Sequence, residues 1–184
     1  MLSPAYVAMP RSYRASADDA EFERFFLANF DGLVRSLAAI TGDRELASDC
    51  VQEAFIRAFA RWRRIRRFDN PSTWVRRVAI NLSLDSKRSD RRRVNREEGV
   101  SLRAADKQSL TAEAVISNMR LVELLSQLTP QQRSVAALFY IEDLPVNQIA
   151  ESLLISTGAV KFHLNKARGQ LRDALEREES RNER

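Results

Sequence analysis

Apolar residues in this chain recur at steps of three and four, and almost nothing interrupts them. Seven side chains of the first such segment follow this spacing: Phe22, Phe25, Phe26, Phe30, Leu33, Val34 and Leu37. Glycine and proline each occur only five times in 184 residues, so together they fall below their average usage of about 12%. Because this spacing lines one face of an α-helix and helix breakers are scarce, the sequence predicts an all-α fold.

Turn signals divide the first half of the pattern into three helices. Residues 41–43 (Thr-Gly-Asp) end the first helix, and the second is expected to extend from Leu46 to Trp62. A loop is predicted over residues 66–72. Pro71 favours the entry of the third helix, because proline is tolerated in a first helical turn. We expect this helix to dissolve into the polar residues 87–93.

The second half begins with a segment that lacks periodicity and reads as a linker. Helical spacing returns at Met119, and Thr129 is the expected N-cap of the following helix. Two short helices and an Arg/Glu-rich tail from Arg177 complete the chain. We therefore expect two small helical domains joined by a flexible linker, with the tails and domains spanning residues 1–20, 21–95, 96–118 (the linker), 119–178 and 179–184.

Charge is distributed very unevenly along the chain. Residues 18–56 contain nine acidic and three basic side chains, whereas residues 57–93 contain thirteen basic and three acidic ones. Twelve of those thirteen are arginines, whose guanidinium forks pair with phosphates and stack on bases. Adjacent acidic and basic segments indicate two different partners, with nucleic acid for the basic one. A solvated helical face is the alternative.

Several classes of protein are excluded by what the chain lacks. One cysteine and one histidine supply neither a disulfide framework nor a Cys/His zinc site. No apolar run reaches the length of a membrane span, and the first residues do not form a secretory signal. The sequence has no Gly-rich phosphate loop and no Cys–His pair. We expect a cytoplasmic protein with no catalytic residues, metal or cofactor, and therefore not an enzyme.

Residues 144–168 have the pattern of a DNA-reading helix-turn-helix. Ala150 is small where the two helices would cross, and Ser156 or Thr157 can cap the second helix. The expected buried face of that helix is Val160, Leu164, Ala167, Leu171 and Leu175. Its other face has no acidic residue from Ser156 to Arg172 and suits phosphates and base edges. The alternative is an ordinary helical hairpin with a basic outer face.

Two segments of the first domain combine residue types that suit binding. Asp49, Gln52, Glu53 and Ile56 form one helical stripe, which suits docking on a partner protein. The segment 74–85 mixes aromatic residues with arginines, as in proteins that stack the bases of single-stranded nucleic acid. The alternative for the tryptophans is that at least one lies in the core.

Cys50 lies among apolar residues and is expected to be a buried thiol rather than a redox switch.

Four segments, in this order and at these separations, resemble the extracytoplasmic-function sigma factors of bacterial RNA polymerase. They are residues 49–59 (DCVQEAFIRAF), 73–85 (TWVRRVAINLSLD), 128–133 (LTPQQR) and the helix-turn-helix at 149–168. The resemblance covers residues 21–176. It implies that the first domain is sigma region 2 and the second is region 4, with no long region 3 between them.

The resemblance also implies roles for individual residues. The clamp helices of the polymerase largest subunit would bind Asp49, Gln52, Glu53 and Arg57, while the flap of the second-largest subunit would bind the second domain. The promoter −10 element would contact Phe68, Asp69, Asn70, Trp74, Arg77, Asn81 and Arg88. The −35 element would contact Thr157, Lys161, Phe162, His163, Asn165, Lys166 and Arg168. The family further implies melting of the −10 region and control by an anti-sigma factor.

The sequence departs from the family in the predicted −10 loop. An aromatic residue is frequent early in that loop, and here Ile65 occupies the position, with Phe68 nearby. The identity of the base that the loop would capture is therefore left open.

Two other classes of binding protein are alternatives to a sigma factor. A stand-alone helix-turn-helix repressor would bind promoter DNA alone as a dimer. A helical RNA-binding or anti-termination module would use the aromatic helix but leave the helix-turn-helix without a role. The acidic stripe followed by the basic aromatic helix favours a sigma factor.

Overall fold

The computed structural model describes residues 17–94 and 120–182. The predicted linker and the first 16 residues lie outside these ranges. Within them the chain forms helices and turns without strands, which confirms the all-α prediction. The helices are α1 (Ala17–Thr41), α2 (Arg44–Phe59), α3 (Trp62–Ile65), α4 (Pro71–Val94), α5 (residues 120–126), α6 (Pro130–Tyr140), α7 (Val146–Leu153) and α8 (Thr157–Asn182).

Small residues on α2 form the centre of the first bundle. Ala47, Ala54 and Ala58 are completely buried, and they let α1 and α4 approach closely from either side. Around them lies an aromatic cluster in which Phe55 contacts rings from α1, with centroids 4.9 to 6.2 Å apart. Trp62 is 5% exposed and contacts the same cluster. At least one of the two tryptophans is therefore a core residue.

Polar side chains cap the starts of three helices, and two of these caps, at α6 and α8, lie where the sequence predicts. The Asp43 carboxylate accepts a hydrogen bond from the third backbone N–H after it, at 3.0 Å, and starts α2. Thr129 and Gln132 form a reciprocal capping box at the start of α6. Ser156, rather than Thr157, caps α8 by accepting from the backbone N–H three residues on. Each of these bonds satisfies a donor that has no partner within its helix.

Several helix ends differ from their predicted positions. Arg61 has a non-helical backbone (φ −124°, ψ 18°), so α2 ends at Phe59 and Trp62 begins the separate helix α3. This turn directs the Trp62 ring onto the aromatic residues of α1. The third predicted helix, α4, does not dissolve at residue 87 but continues to Val94.

The terminal helices extend into segments predicted as tails. Helix α1 already includes Ala17, and α8 continues to Asn182, so it is long rather than short. Helix α8 is rich in Arg and Glu beyond Arg177, both of which are good helix formers. A charged, apolar-poor stretch can therefore prolong a helix that packing has already nucleated.

The two predicted domains pack against each other. Helix α1 contacts α6, and α4 contacts α7. Val135, Leu138, Ile149 and Val160 of the second domain belong to the same buried cluster as the core of the first. Within residues 17–94 and 120–182, the two helical domains therefore share one hydrophobic core. None of its described helices is both long enough and apolar enough to cross a bilayer.

Candidate nucleic-acid and partner surfaces

The acidic stripe of α2 faces solvent. Asp49 and Gln52 are exposed, and Glu53 is half-buried. Ile56 is 63% exposed in the middle of this polar surface, while Val51 on the opposite face is fully buried. Glu53 accepts a 2.7 Å charged hydrogen bond from the Arg57 guanidinium one turn later, which holds both side chains in place. An exposed apolar side chain beside charged groups matches the arrangement of protein interfaces, in which an apolar centre has a polar rim.

The stripe continues onto Phe59, the last residue of α2. Phe59 is 49% exposed, although its ring also contacts Phe22 on α1 at 5.0 Å. It follows Ile56 by three residues, so the two side chains are neighbours on the helix surface. The three-residue spacing of Ile56 and Phe59 can be read from the sequence, but the exposure of Phe59 cannot.

The loop between α3 and α4 presents one aromatic ring. Phe68 is 38% exposed, whereas Ile65, at the position where the family often has an aromatic residue, is 1% exposed and packs in the core. Asp69 is exposed. The Asn70 side-chain oxygen accepts from the Ser72 hydroxyl at 2.6 Å and from the Thr73 backbone N–H at 3.3 Å. Asn70 therefore also serves as the cap of α4.

Two predicted members of the nucleic-acid surface lie further along α4. Trp74 is half-buried against the core, and Asn81 is exposed two turns later. The side chain of Arg88 lies outside the described part of the structure. The loop and the exposed turns of α4 thus offer Phe68, Asp69 and Asn81 on the surface.

Arg77, also predicted to contact DNA, is engaged by the second domain. Its guanidinium donates a short hydrogen bond to the backbone carbonyl of Glu151 on α7. Its Nε is buried and has no acceptor. The neighbouring Arg76, which sequence reasoning did not single out, is 4% exposed and forms an ion pair with Glu142 at 2.7 Å. No sequence pattern links residues 66 positions apart.

The second helix of the helix-turn-helix, α8, is buried on one face and open on the other. Val160, Leu164 and Ala167 are at most 5% exposed, as predicted. Leu175 was predicted to be buried but is 37% exposed, and Ala174 takes the inward position instead. The predicted DNA-contacting side chains divide into an exposed set of Thr157, Lys161, Phe162, Asn165, Lys166 and Arg168, and the half-buried His163.

Arg168 is held in place from α6. Its Nε donates to the Tyr140 hydroxyl at 2.9 Å, and its guanidinium carbon lies 5.4 Å from the centre of the Phe139 ring. A hydrogen bond and a cation–π contact together restrict a side chain that otherwise has many rotamers. Sequence reasoning missed Tyr140 and Phe139 because their role depends on how α6 packs on α8.

Cys50 is a buried thiol, as predicted. Burial raises its pKa, and the nearby carboxylates of Asp49 and Asp43 raise it further because both disfavour a thiolate. This environment is the opposite of the electropositive, exposed setting that activates cysteines.

Comparison with known proteins matches both halves of the chain to one family. Residues 25–93 match Sigma-70 region 2, and residues 118–171 match Sigma-70, region 4. The chain is 30% identical to the RNA polymerase sigma-E factor of Streptomyces avermitilis over 88% of its own length and 89% of the relative. It is 32% identical to the ECF RNA polymerase sigma factor SigW of Bacillus subtilis over 73% of this chain and 78% of the relative. The chain belongs to the extracytoplasmic-function sigma factors.

Solved structures share the fold of this sigma factor. The sigma factor RpoE from Bartonella quintana, in complex with the anti-sigma factor NepR, aligns with a TM-score of 0.67 and 20% identity over 85% of this chain and 97% of its own. CnrH, in complex with the cytosolic domain of CnrY, aligns with a TM-score of 0.63 and 21% identity over 88% and 92%. The family consists of transcription initiation factors rather than enzymes, and region 4 is its DNA-binding helix-turn-helix.

Proposed function

We propose that this sigma factor binds core RNA polymerase and directs initiation at promoters with specific −35 and −10 elements. The observation that carries the proposal is the open face of α8. Lys161, Phe162, Asn165 and Lys166 are exposed there while the opposite face is buried, and the whole segment from Ser156 to Arg172 has no acid. A helix of this kind can enter the major groove and contact base edges and phosphates of the −35 element.

The loop at residues 66–70 and the following turns of α4 would engage the −10 element. Phe68 supplies an exposed ring for stacking, and Asn81 supplies an amide that can hydrogen-bond to a base edge. A base captured outside the stack is available only in open DNA. Binding it therefore shifts the duplex toward the melted state by differential affinity, without ATP.

The stripe on α2 would contact the clamp helices of the polymerase largest subunit, and region 4 would contact the flap of the second-largest subunit. Support for the first contact is the exposed Ile56 between Gln52 and the Glu53–Arg57 ion pair. The structurally similar RpoE was solved with the anti-sigma factor NepR, and CnrH was solved with the cytosolic domain of CnrY. We propose that this chain also has an anti-sigma regulator. Its work on the chromosome would place it in the cytoplasm.

Run-off transcription tests the function. Purified core RNA polymerase is incubated with genomic promoter fragments, with and without the chain. We expect discrete new start sites only when the chain is present. Unchanged transcription, together with a shift of specific duplex DNA by the chain alone, would replace the sigma factor with a repressor.

Single substitutions separate the two promoter contacts. We expect Lys166→Ala to weaken binding of the −35 element by about tenfold (about 1–2 kcal/mol), because it removes one side chain of the exposed α8 face. Asn81→Ala should leave that initial binding intact and lower the yield of open complexes, measured by permanganate reactivity of unpaired thymines. Arg35→Ala, which removes an exposed charge on α1, is the control. Equal losses at both steps for both variants would contradict the division.

A further inference from the structure

A buried polar cluster joins region 2 to region 4. We call the arrangement in which the two regions pack against each other closed. Arg76 on α4 and Glu142, in the turn after α6, form an ion pair at 2.7 Å with side chains 4% and 7% exposed. Glu142 also accepts a short hydrogen bond from the Ser36 hydroxyl on α1. Arg76 reaches the Ser152 hydroxyl on α7 at 3.4 Å. The ion pair and the Ser36 hydrogen bond thus tie α4 and α1 of region 2 to region 4.

This cluster lies beside a residue proposed to contact the −10 element. Arg77, next in sequence, donates to the carbonyl of Glu151 on α7, so region 4 occupies its guanidinium. Its buried Nε has no acceptor, and a buried donor without a partner is costly. The closed arrangement therefore satisfies Arg76 fully but Arg77 only in part.

The closed arrangement conflicts with reading two promoter elements at once. The centres of a −35 and a −10 element are about 25 base pairs apart, which is about 85 Å of B-form duplex at 3.4 Å per step. A folded chain of this length has a radius of gyration of about 16 Å. While α7 packs on α4, the helix-turn-helix cannot lie on one element as α4 contacts the other.

We propose that the Arg76–Glu142 pair, with Ser36 and Ser152, is an intramolecular latch that keeps free sigma factor closed. It covers Arg77 and holds the two DNA-binding units too close together for promoter binding. Core polymerase, by binding both domains separately, would pull the latch open. The claim that the latch controls transcription rests on the proposed function. The claim that the latch keeps the free chain closed does not. Removing one partner of a buried pair leaves an uncompensated buried charge and commonly shifts an equilibrium by about a hundredfold or more, so single substitutions in the pair can test the latch.

Distance measurement in the free, full-length chain tests the latch directly. The native thiol is removed by Cys50→Ala, and spin labels are attached through Arg44→Cys on α2 and Gln170→Cys on α8, both at exposed positions. Double electron–electron resonance should give one narrow, short distance for the otherwise unchanged chain. A broad, long distribution there would overturn the proposal.

Charge reversal at the latch is the decisive variant. Glu142→Arg places two cations together in a buried site, and we expect most molecules to move to longer distances. The double variant Arg76→Glu, Glu142→Arg restores opposite charges and should return the short distance. Glu123→Arg, the same charge change at an exposed position on α5, should change nothing. A folded Glu142→Arg protein that keeps the short distance would overturn the latch.

A milder variant keeps the test decisive if charge reversal unfolds the chain, as circular dichroism would report. Glu142→Gln retains the shape but removes the charge, and we expect a measurable long-distance population. An unchanged distribution would overturn the latch.

The functional consequence is measured separately. At limiting core polymerase, Glu142→Arg (or Glu142→Gln) should yield several-fold more run-off transcript than the control Glu123→Arg, whose latch is intact. No gain, despite opening, would overturn the regulatory role. If distances respond as expected but no variant supports transcription, the proposed function fails while the latch stands.

Discussion

Cys50 is the only thiol of the chain, and its surroundings keep it protonated. Apolar packing excludes water from the sulfur, and Asp49 and Asp43 add negative potential, so the pKa is raised. Thiol reagents attack the thiolate. A side chain that is both buried and protonated therefore reacts only when the bundle opens.

We predict that iodoacetamide at pH 8 modifies Cys50 at least about tenfold more slowly in the folded chain than in urea. Mass spectrometry of quenched samples measures the rate, and the urea-unfolded chain is the matched control because it has the same single thiol. Comparable rates in the two states would show that Cys50 is accessible and would reopen the redox interpretation.

The same pKa shift has a consequence for stability. Because the folded pKa is raised, the unfolded thiol ionises first as the pH increases, and its contribution to stability is lost above the ordinary pKa of the thiol. This loss occurs only at alkaline pH. Ionisation of Cys50 therefore does not change the free energy of unfolding near neutral pH.

Arg168 illustrates how a single contact changes the interpretation of a residue. On sequence it is one of several basic side chains on an exposed helix face. In the structure, Tyr140 and Phe139 restrict its guanidinium. Its guanidinium therefore has a fixed orientation at the protein surface, whereas Lys161 and Lys166 extend from the exposed face of α8.

At the level of single elements, α7 depends on its neighbours for its stability. It has only eight residues, its N-cap is Pro145, and no side chain caps its first turn. It ends at Leu154 in the left-handed region (φ 56°), and Asp143 before it is also left-handed (φ 52°). Isolated helices of this length are unstable in water. Packing on α4 and α8 therefore maintains it.

We predict that Leu154→Gly stabilises the protein. The left-handed region costs a non-glycine residue about 1–2 kcal/mol, whereas glycine adopts it freely at an entropic cost of about 0.5–1 kcal/mol. Leu154 is 69% exposed, so the substitution removes little packing. The expected net gain of about 0.5–1 kcal/mol would raise the Tm by about 1–4 °C. Thermal unfolding by circular dichroism measures it.

Leu27→Gly is the matched control, since Leu27 is 68% exposed but lies within α1. There the same substitution should destabilise by about 1 kcal/mol, because glycine is unfavourable in a helix interior. If both variants shift the Tm in the same direction, backbone strain at Leu154 is not the determining factor.

In the whole molecule, the basic segment of the sequence forms a positively charged surface at one end of region 2. The arginines from residue 57 to 67 are mostly exposed around α3 and the −10 loop, and Asp18 and Glu21 of α1 pair with only Arg63 and Arg66. Glu53 pairs with Arg57, and the exposed guanidinium groups of Arg61, Arg64 and Arg67 keep this end of region 2 positive. Such a surface binds phosphates and releases counterions as it does so.

We predict steep salt dependence of single-stranded DNA binding by this surface. In fluorescence anisotropy with a fluorescein-labelled random 20-mer, log K should fall linearly with log salt concentration. The double variant Arg61→Gln, Arg64→Gln should lower the magnitude of the slope by about 0.7 for each phosphate that is no longer neutralised, or about 1.4 in all. Arg35→Gln, in the acidic segment, should leave the slope unchanged. An equal change in slope for both would assign the effect to net charge alone.

Local sequence patterns were enough to predict that the chain is helical, which side of α8 is buried at most positions, and that region 2 precedes region 4. Periodicity located most of the buried face of α8, and Thr129 and the Ser156–Thr157 pair marked the starts of α6 and α8, because these preferences act over four residues or fewer. Each motif of regions 2 and 4 is likewise a short continuous segment, so it can be recognised in the sequence alone. Most of the predicted DNA-contacting side chains of α8 are exposed for the same reason: one helix face must be buried, and the opposite face then points outward.

The way in which the two domains meet depends on long-range packing that no local pattern contains. Arg76 and Arg77 are adjacent arginines in a basic helix, and no local pattern distinguishes them. Yet one is buried in an ion pair with Glu142 and the other is bonded to the main chain of α7. These partners are 66 and 74 residues away in sequence. They are selected by the packing of whole helix faces, and that packing depends on every contact across the shared core rather than on any segment alone.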